Sequence, residues 1–227
     1  MAPSSAAERD TSGRSLTDYP RPSVAVDTAL LTVPAGSGTL HVLLVRRAGR
    51  HEHGEWALPG TFLHEGERLA DAVLRSLRDK AGVEGLNPRQ LHAFDDPSRD
   101  GRGWVLSVAH LDAIAWSRVE RAVFVHDDVR VTPVDEAIGL PYDHDAIVSR
   151  AVDELRETYR HTPDPDHLLA TPFTLLQLRH LHQAVLGRPI LKDTFRRRMQ
   201  PLLVATDQRK EGEVGKPALL FESRTDR

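Results

Sequence analysis

The chain has 227 residues, 40% of them hydrophobic and 28% charged, which is enough for one large domain or for a domain of about 150 residues plus a small one. It contains no cysteine, so disulfides, thiolate metal sites and cysteine nucleophiles are excluded. No apolar run approaches the ~20 residues of a bilayer span. The opening MAPSSAAERDTSGRSLTDYPRP lacks the apolar stretch of a secretory signal, so a cytoplasmic protein without a membrane partner is expected, with residues 1–21 as a disordered arm.

Net charge is −3 but unevenly spread: from Pro172 onward 11 Lys and Arg stand against 6 Asp and Glu, and before it 19 against 27. An acidic body with a basic end reads either as ordinary surface scatter or as two modules, the second of which meets a polyanion.

Residues 23–33 (SVAVDTALLTV) and 39–46 (TLHVLLVR) are rich in Val, Leu and Thr, and the intervening Pro34-Ala-Gly-Ser-Gly38 predicts a hairpin. The charged loop RAGRHEHGE leads to the apolar run Trp56-Ala-Leu58, closed by Pro59-Gly60. A helix is expected over 67–81, with Leu69, Val73 and Leu77 as its apolar stripe and Gly82 as its stop. Residues 90–94, 104–111 and either 122–125 or 129–131 are strand candidates. Residues 145–160 carry Ile147, Ala151, Leu155 and Tyr159 at i, i+4 spacing and predict a second long helix. Strands followed by a helix, twice over, indicate an α/β layered domain over 22–160.

Three prolines in HTPDPDHLLATP (161–172) read as a hinge. Residues 174–186 then predict a short helix with Leu175, Leu178, Leu181 and Val185 on one side; His180 and His182 read as a solvated face, the alternative being contact with phosphate. Gly187-Arg-Pro189 is a turn, and 190–200 a second short helix stopped by Pro201. Two strands around the polar loop DQRKEGEVGK complete the order of a winged helix-turn-helix, placed at 173–222 with a tail at 223–227. With Leu191, Phe195 and Met199 as the core stripe of the second helix, Lys192, Thr194, Arg196, Arg197 and Gln200 are the candidate DNA contacts. Arg bridges the O6 and N7 acceptors of guanine, Gln pairs with adenine and Thr reaches phosphate. Arg209, Lys210 and Lys216 would lie along the backbone as the wing. The alternative is a solvated basic helix.

Residues 57–83 (ALPGTFLHEGERLADAVLRSLRDKAGV) resemble a Nudix box. Glu67, Arg75, Leu77, Gly82 and Val83 fall in its register, whereas Thr61 stands for its first Gly, Ser76 for the Glu after the Arg, and Asp79-Lys80 for its Glu-Glu pair. Hydrolysis of a nucleoside diphosphate needs Mg²⁺ or Mn²⁺ held by several carboxylates on one helix face. Positions 76, 79 and 80 share an arc of about 100°, and here it carries a hydroxyl, one carboxylate and an ammonium that repels a divalent ion. Neither a catalytic residue nor a required metal is expected, although Glu67 and Asp79 leave weak metal affinity open.

From Tyr19-Pro-Arg-Pro22 through LLVRR, EWALPG, SRDGRGWVLSVAH, PYDHDAIVSRAVDELRETY, FTLLQLRHLHQAVLG and FRRRM, most of the chain resembles the Nudix-related transcriptional regulators of bacterial NAD metabolism. That resemblance implies a Nudix-like α/β/α sandwich joined by a helix to a winged helix-turn-helix. It further implies a homodimer that represses NAD-biosynthesis or salvage genes on a palindromic double-stranded operator and is released by ADP-ribose or a related nucleotide. The departures at Thr61, Ser76 and Lys80 place the chain with non-hydrolytic members.

The ligand site so implied draws on Arg46 and Arg47 at a strand end, Trp56, Glu67 of the box, and Arg99, Asp100 and Arg102 of the loop SRDGRGW. Guanidinium grips phosphate oxygens through paired donors, and side-chain charge would take over part of the missing metal's role. For the arginines the alternative is surface ion pairing; for Trp56 and Trp104 it is core packing in place of stacking on adenine. His51-Glu-His53 with His64 reads as an exposed loop rather than a metal site. Two rival functions stay open: an active Nudix hydrolase, and a regulator of the same architecture answering to a sugar.

Overall fold

A computed structural model describes residues 9–210 and 217–224. Within the arm expected to be disordered, residues 9–21 hold local order: Asp10 accepts from Ser12 and Arg14, and a 3-10 turn at Leu16–Asp18 starts from Ser15. Residues 1–8 lie outside the described part, as does most of the tail.

β1 (Ser23–Thr32) is the axis of the first sheet, buried from Ala25 to its end. A strand covered on both faces reads as a largely apolar run, here interrupted by Asp27, Thr28 and Thr32. β2 (His41–Arg46) returns antiparallel with Leu31 opposite Val42, and β3 (Trp56–Ala57) pairs with its end. β4 (Gly60–Phe62) crosses back onto β1, placing Gly60 opposite Asp27. Then follow α1 (Leu69–Ala81), β5 (Arg89–Phe94), β6 (Val105–Ala113), α2 (Glu120–Val125), β7 (Val129–Pro133) and α3 (His144–Tyr159). β6 runs parallel to β1 from Ser23–Val105 to Leu31–Ala113, and the remaining pairings of this seven-stranded sheet are antiparallel.

Alternate residues of β1 face opposite ways. Val26 and Leu30 pack with Leu43, Val45 and the α1 residues Ala72, Val73, Leu77 and Ala81. Ala29 and Leu31 pack with Val42, Leu44 and the α3 residues Ile147, Ala151 and Leu155. The mixed sheet is thus sandwiched between helices, the α/β/α arrangement that the resemblance implied. Among the described residues no helix is long and apolar enough to cross a membrane.

The second module contains β8 (Phe173–Thr174), α4 (Leu175–Leu186), α5 (Lys192–Met199), β9 (Leu203–Lys210) and β10 (Ala218–Ser223). Its sheet has the order β8-β10-β9, and Phe173, Leu178, Phe195, Met199, Leu203 and Phe221 form its core. Thr174 and Gln177 make a reciprocal capping box at the start of α4, and Gly187 ends that helix in the left-handed conformation.

Several expectations need correction. Of the alternative strand candidates 122–125 and 129–131, the second is β7 and the first is helical, with Val119 and Ala122 buried three apart; four apolar residues cannot distinguish the two periods. α1 starts at Leu69 because Glu67 is engaged elsewhere, and α5 starts at Lys192 because both backbone groups of Ile190 bond to side chains of α4. The proline-rich segment 161–172 is packed rather than loose: buried Asp164 accepts from Tyr159 Oη and from the backbone N–H groups of Leu168 and Leu169. His182, expected on a solvated face, is buried at this junction. Its ring meets Tyr159 of α3 and Phe195 of α5 at 5.3 and 5.0 Å, and its Nε2 bonds the carbonyl of Pro163. Leu181 and Val185 of α4 join the core of the first domain beside α3.

The His182 contact generates a pH prediction. Burial first, and repulsion from Arg198 last, push His182 from 6.5 down to about 4 against the raising effect of the Pro163 bond. Protonation therefore favours the unfolded chain, so this stabilisation is fully present above about pH 6.5 and is lost as pH falls toward 4, on the order of 3 kcal/mol in all. His182→Gln keeps a donor but cannot titrate, and its melting temperature should fall less steeply than wild type between pH 7 and 4.5. Parallel slopes would show that His182 does not carry the effect.

Candidate ligand cleft and nucleic-acid interface

Where β4 crosses β1, a cleft opens that is lined by Asp27, Arg47, Gly60, Thr61, Phe62, Lys80, Arg99, Asp100, Arg102 and Tyr142, among others. Asp27 lies at its floor, 7% exposed. Its Oδ2 accepts from Ser107 Oγ at 2.6 Å and from Arg99 at 3.4 Å, and its Oδ1 lies 3.4 Å from His144 Nε2. His144 Nδ1 accepts the Leu58 N–H, which puts the ring proton on Nε2, toward Asp27. Burial alone would raise the Asp27 carboxyl, but His144, Ser107 and Arg99 together hold it well below the usual carboxylate range. Gly60 is required opposite it, since a Cβ there would stand 1.9 Å from Asp27 Oδ1 and 2.9 Å from the Val26 carbonyl.

Arg99 is gripped through two donors by Asp143, at 2.8 and 2.5 Å. Burial opposes its charge, and Asp143 with Asp27 more than offsets this, raising its pKa. Asp100 holds Arg102 in a fork at 2.9 and 2.6 Å. The ring of Tyr142 lies under both Arg47 and Arg102, at 5.1 and 5.4 Å, and its buried Oη has no hydrogen-bond partner among the described residues. Lys80 Nζ donates to the Gly60 carbonyl. Among the described residues neither Arg47 nor Lys80 has a carboxylate within 4 Å. The cleft therefore combines committed carboxylates with cations that still have donors to offer, an arrangement suited to phosphate oxygens.

Of the residues expected to meet ligand, the cleft brings together Arg47, Arg99, Asp100 and Arg102. The others lie outside it. Glu67 is bound by Arg75 at 2.7 and 2.8 Å and by the His64 N–H at 2.9 Å, contacts that hold its carboxyl down to about 2. Arg75 also bonds Thr61 and the Phe62 carbonyl, so this pair fastens the box loop to β4. Arg46 turns to the Gly54 carbonyl. Trp56 packs against the α3 side of the core with Arg130 over its ring at 4.2 Å, and Trp104 is half-exposed away from the lining. The sequence reading missed Asp27, Tyr142 and Lys80 as cleft residues. The available signal for Asp27 was a single charged residue inside an otherwise uncharged strand.

On α5, Phe195 and Met199 are buried while Lys192, Thr194, Arg196 and Arg197 are exposed and Gln200 is half-buried. Leu191, expected in the core stripe, is 78% exposed because it is the N-cap, one position outside the helix. Arg196 Nε donates to Gln200 at 2.8 Å, so these two side chains present a joined polar face. Arg209 and Lys210 stand exposed on β9, and Lys216 lies outside the described residues.

Two families match the chain, the NUDIX domain over residues 22–155 and the NrtR DNA-binding winged helix domain over 165–222. An ADPR responsive transcriptional repressor, NtrR, of Acinetobacter baylyi is 30% identical over 85% of this chain and 79% of its own length. Shewanella oneidensis NrtR, solved in complex with a 27mer DNA, superposes with a TM-score of 0.76 at 32% identity, covering 89% of this chain and 94% of that one. The Nudix domain of that protein complexed with ADP ribose gives a TM-score of 0.54 at 28% identity, over 63% of this chain and 95% of that one.

The floor of the cleft is testable apart from any ligand. Asp27→Ala removes the carboxylate shared by Arg99 and His144 and leaves buried donors unmatched, and should cost about 3 kcal/mol of unfolding free energy in a urea titration. Gly60→Ala should destabilise comparably through the clash with the same carboxylate. Unchanged urea midpoints would show that the cluster is not the anchor of this sheet.

Proposed function

The chain belongs to the NrtR family, and from that premise we propose that it is an ADP-ribose-responsive transcriptional repressor whose Nudix domain binds the nucleotide without hydrolysing it. The observation that supports this reading is the cleft, where cationic donors converge beside Thr61 and Lys80 of the box while the box arc lacks a carboxylate set. Ser76 is buried, Asp79 is turned to Arg78 at 2.9 Å, and Lys80 bonds Gly60. Among the described residues no group of three or more His, Asp or Glu is placed to hold a metal ion.

In this reading the protein works in the cytoplasm as a homodimer on palindromic operators of NAD-metabolism genes. α5 enters the major groove with Arg196 and Arg197 toward base edges, and Lys192, Thr194, Arg209 and Lys210 meet the backbone. The two sites are linked by α3. Asp143, at its N-terminus, holds Arg99 of the cleft, and Tyr159, at its C-terminus, packs on His182 of the DNA-binding module. Ligand that binds more tightly to a geometry in which the two α5 helices are mis-spaced releases DNA, and operator weakens ligand binding by the same factor.

A fluorescence anisotropy titration on DNA from upstream of NAD-metabolism genes tests this. Wild type should bind a palindrome with half-sites about one helical turn apart, and ADP-ribose should release it. Arg196→Ala and Arg197→Ala should each weaken binding roughly tenfold or more. Absence of specific binding, or Mg²⁺-dependent turnover of ADP-ribose at ordinary enzymatic rates, would overturn the proposal.

A further inference from the structure

The box position that calls for the last carboxylate of a Nudix metal site holds Lys80, and the structure gives that lysine a definite place. Its ammonium reaches from the end of α1 to the carbonyl of Gly60 on β4, in the same cleft as Arg47, Arg99 and Arg102. The residues on this arc do not fit a divalent cation: a buried hydroxyl, a carboxylate already paired with Arg78, and a cation. An ammonium carries three donors, and one is spent on Gly60, leaving two for other acceptors.

We propose that the Lys80 ammonium is a built-in counter-cation that binds the pyrophosphate oxygens of a nucleoside diphosphate in place of a metal ion, so that ligand binding is metal-independent. The inference rests on the reading of this cleft as the nucleotide site and assigns to one residue what holds the pyrophosphate there. Two further features support it. Arg47 and Lys80 repel one another across the cleft wall, and desolvation followed by that repulsion lowers the pKa of Lys80, a tension that an anion between them relieves. The carboxylates nearest to hand are committed: Asp27 to Arg99, Ser107 and His144, and Asp100 to Arg102. An incoming diphosphate therefore meets fixed cations, with each neighbouring carboxylate already matched to a donor.

Isothermal titration of the full chain with ADP-ribose, in EDTA and again in Mg²⁺, distinguishes the outcomes. Wild type should bind with the same affinity in both buffers. Lys80→Met should lose about tenfold to a hundredfold in affinity, as expected for a charge-assisted hydrogen bond, while Lys80→Arg, which keeps the charge, should retain most of it. Lys80→Glu should bind most weakly in EDTA and recover in part with Mg²⁺. Thermal melts of each variant confirm folding before titration. Wild-type affinity that rises tenfold or more with Mg²⁺, or a folded Lys80→Met that binds as wild type does, overturns the inference and leaves the sensor reading standing. Failure of wild type to bind in either buffer overturns the sensor reading and this inference together.

Discussion

A carboxylate at the centre of a sheet must be matched by donors or it cannot stay charged there, because removing an ion from water costs several kcal/mol even after relaxation. Asp27 is that carboxylate, and each group that matches it arrives on a different element. Ser107 comes from β6, Arg99 from the loop before it, and His144 from the first turn of α3. Satisfying one charge thus fixes where a strand, a loop and a helix meet. Gly60 follows from the same constraint, since the carboxylate occupies the space of its missing side chain. The cleft is the outer surface of this cluster, so its shape is set by the fold's own electrostatic requirement.

The cluster also decides what α3 can transmit. Asp143 is the N-cap residue of that helix, yet its side chain makes no capping bond and is given to Arg99 instead. A negative charge at a helix N-terminus is favourable in any case, so this costs the helix little. The helix runs 16 residues, about 24 Å at its usual rise, and ends at Tyr159 against Asp164, His182 and the start of the second module. Both ends are tied by specific polar contacts and the middle is buried apolar packing. Arg99 and α4 are thus joined through ordered contacts at the two ends of one helix.

The layered architecture was legible in the sequence because it rests on periodicity. The long runs of β1, β2 and β6, the stripe of α1 and the i, i+4 spacing of α3 each predict their element within one or two residues. The two short helices of the winged module were equally readable from Gly187, Pro189 and Pro201, whereas β9 runs through Lys210, four residues into the expected polar loop. Failures came where tertiary contact overrides a local pattern. His182 looks like an exposed helix residue until Tyr159 and Phe195 close over it. Residues 161–172 look like a hinge until Asp164 is seen to gather the donors around it. For the cleft, Arg47, Arg99, Asp100 and Arg102 were found because arginines near strand ends and glycine-containing loops are readable features. Glu67 lies outside the cleft lining because Arg75 captures it, a partner that the box register does not reveal. Tyr142 was missed because its role comes from the two arginines above its ring, which are brought together only by the fold.

A sensor and a hydrolase make opposite demands on such a cleft. An enzyme gains rate only from contacts that strengthen in the transition state, and a metal that polarises the breaking bond is one of these. A fixed ammonium or guanidinium held by the fold neutralises the charge the ligand already has in its ground state, so its effect is spent on binding. Binding alone does not switch anything, because a ligand of equal affinity for both geometries shifts neither. Coupling between two sites commonly amounts to 1–3 kcal/mol, about one charge-assisted hydrogen bond. One contact that differs between the DNA-competent and released geometries is therefore enough, and the remainder of the cleft can be alike in both. Lys80 bonds the Gly60 carbonyl, whereas Arg47 lies over the ring of Tyr142, which meets His144 in the first turn of α3. Arg99 both lines the cleft and holds Asp143 at the start of α3, which makes it the cleft residue placed to carry such a difference.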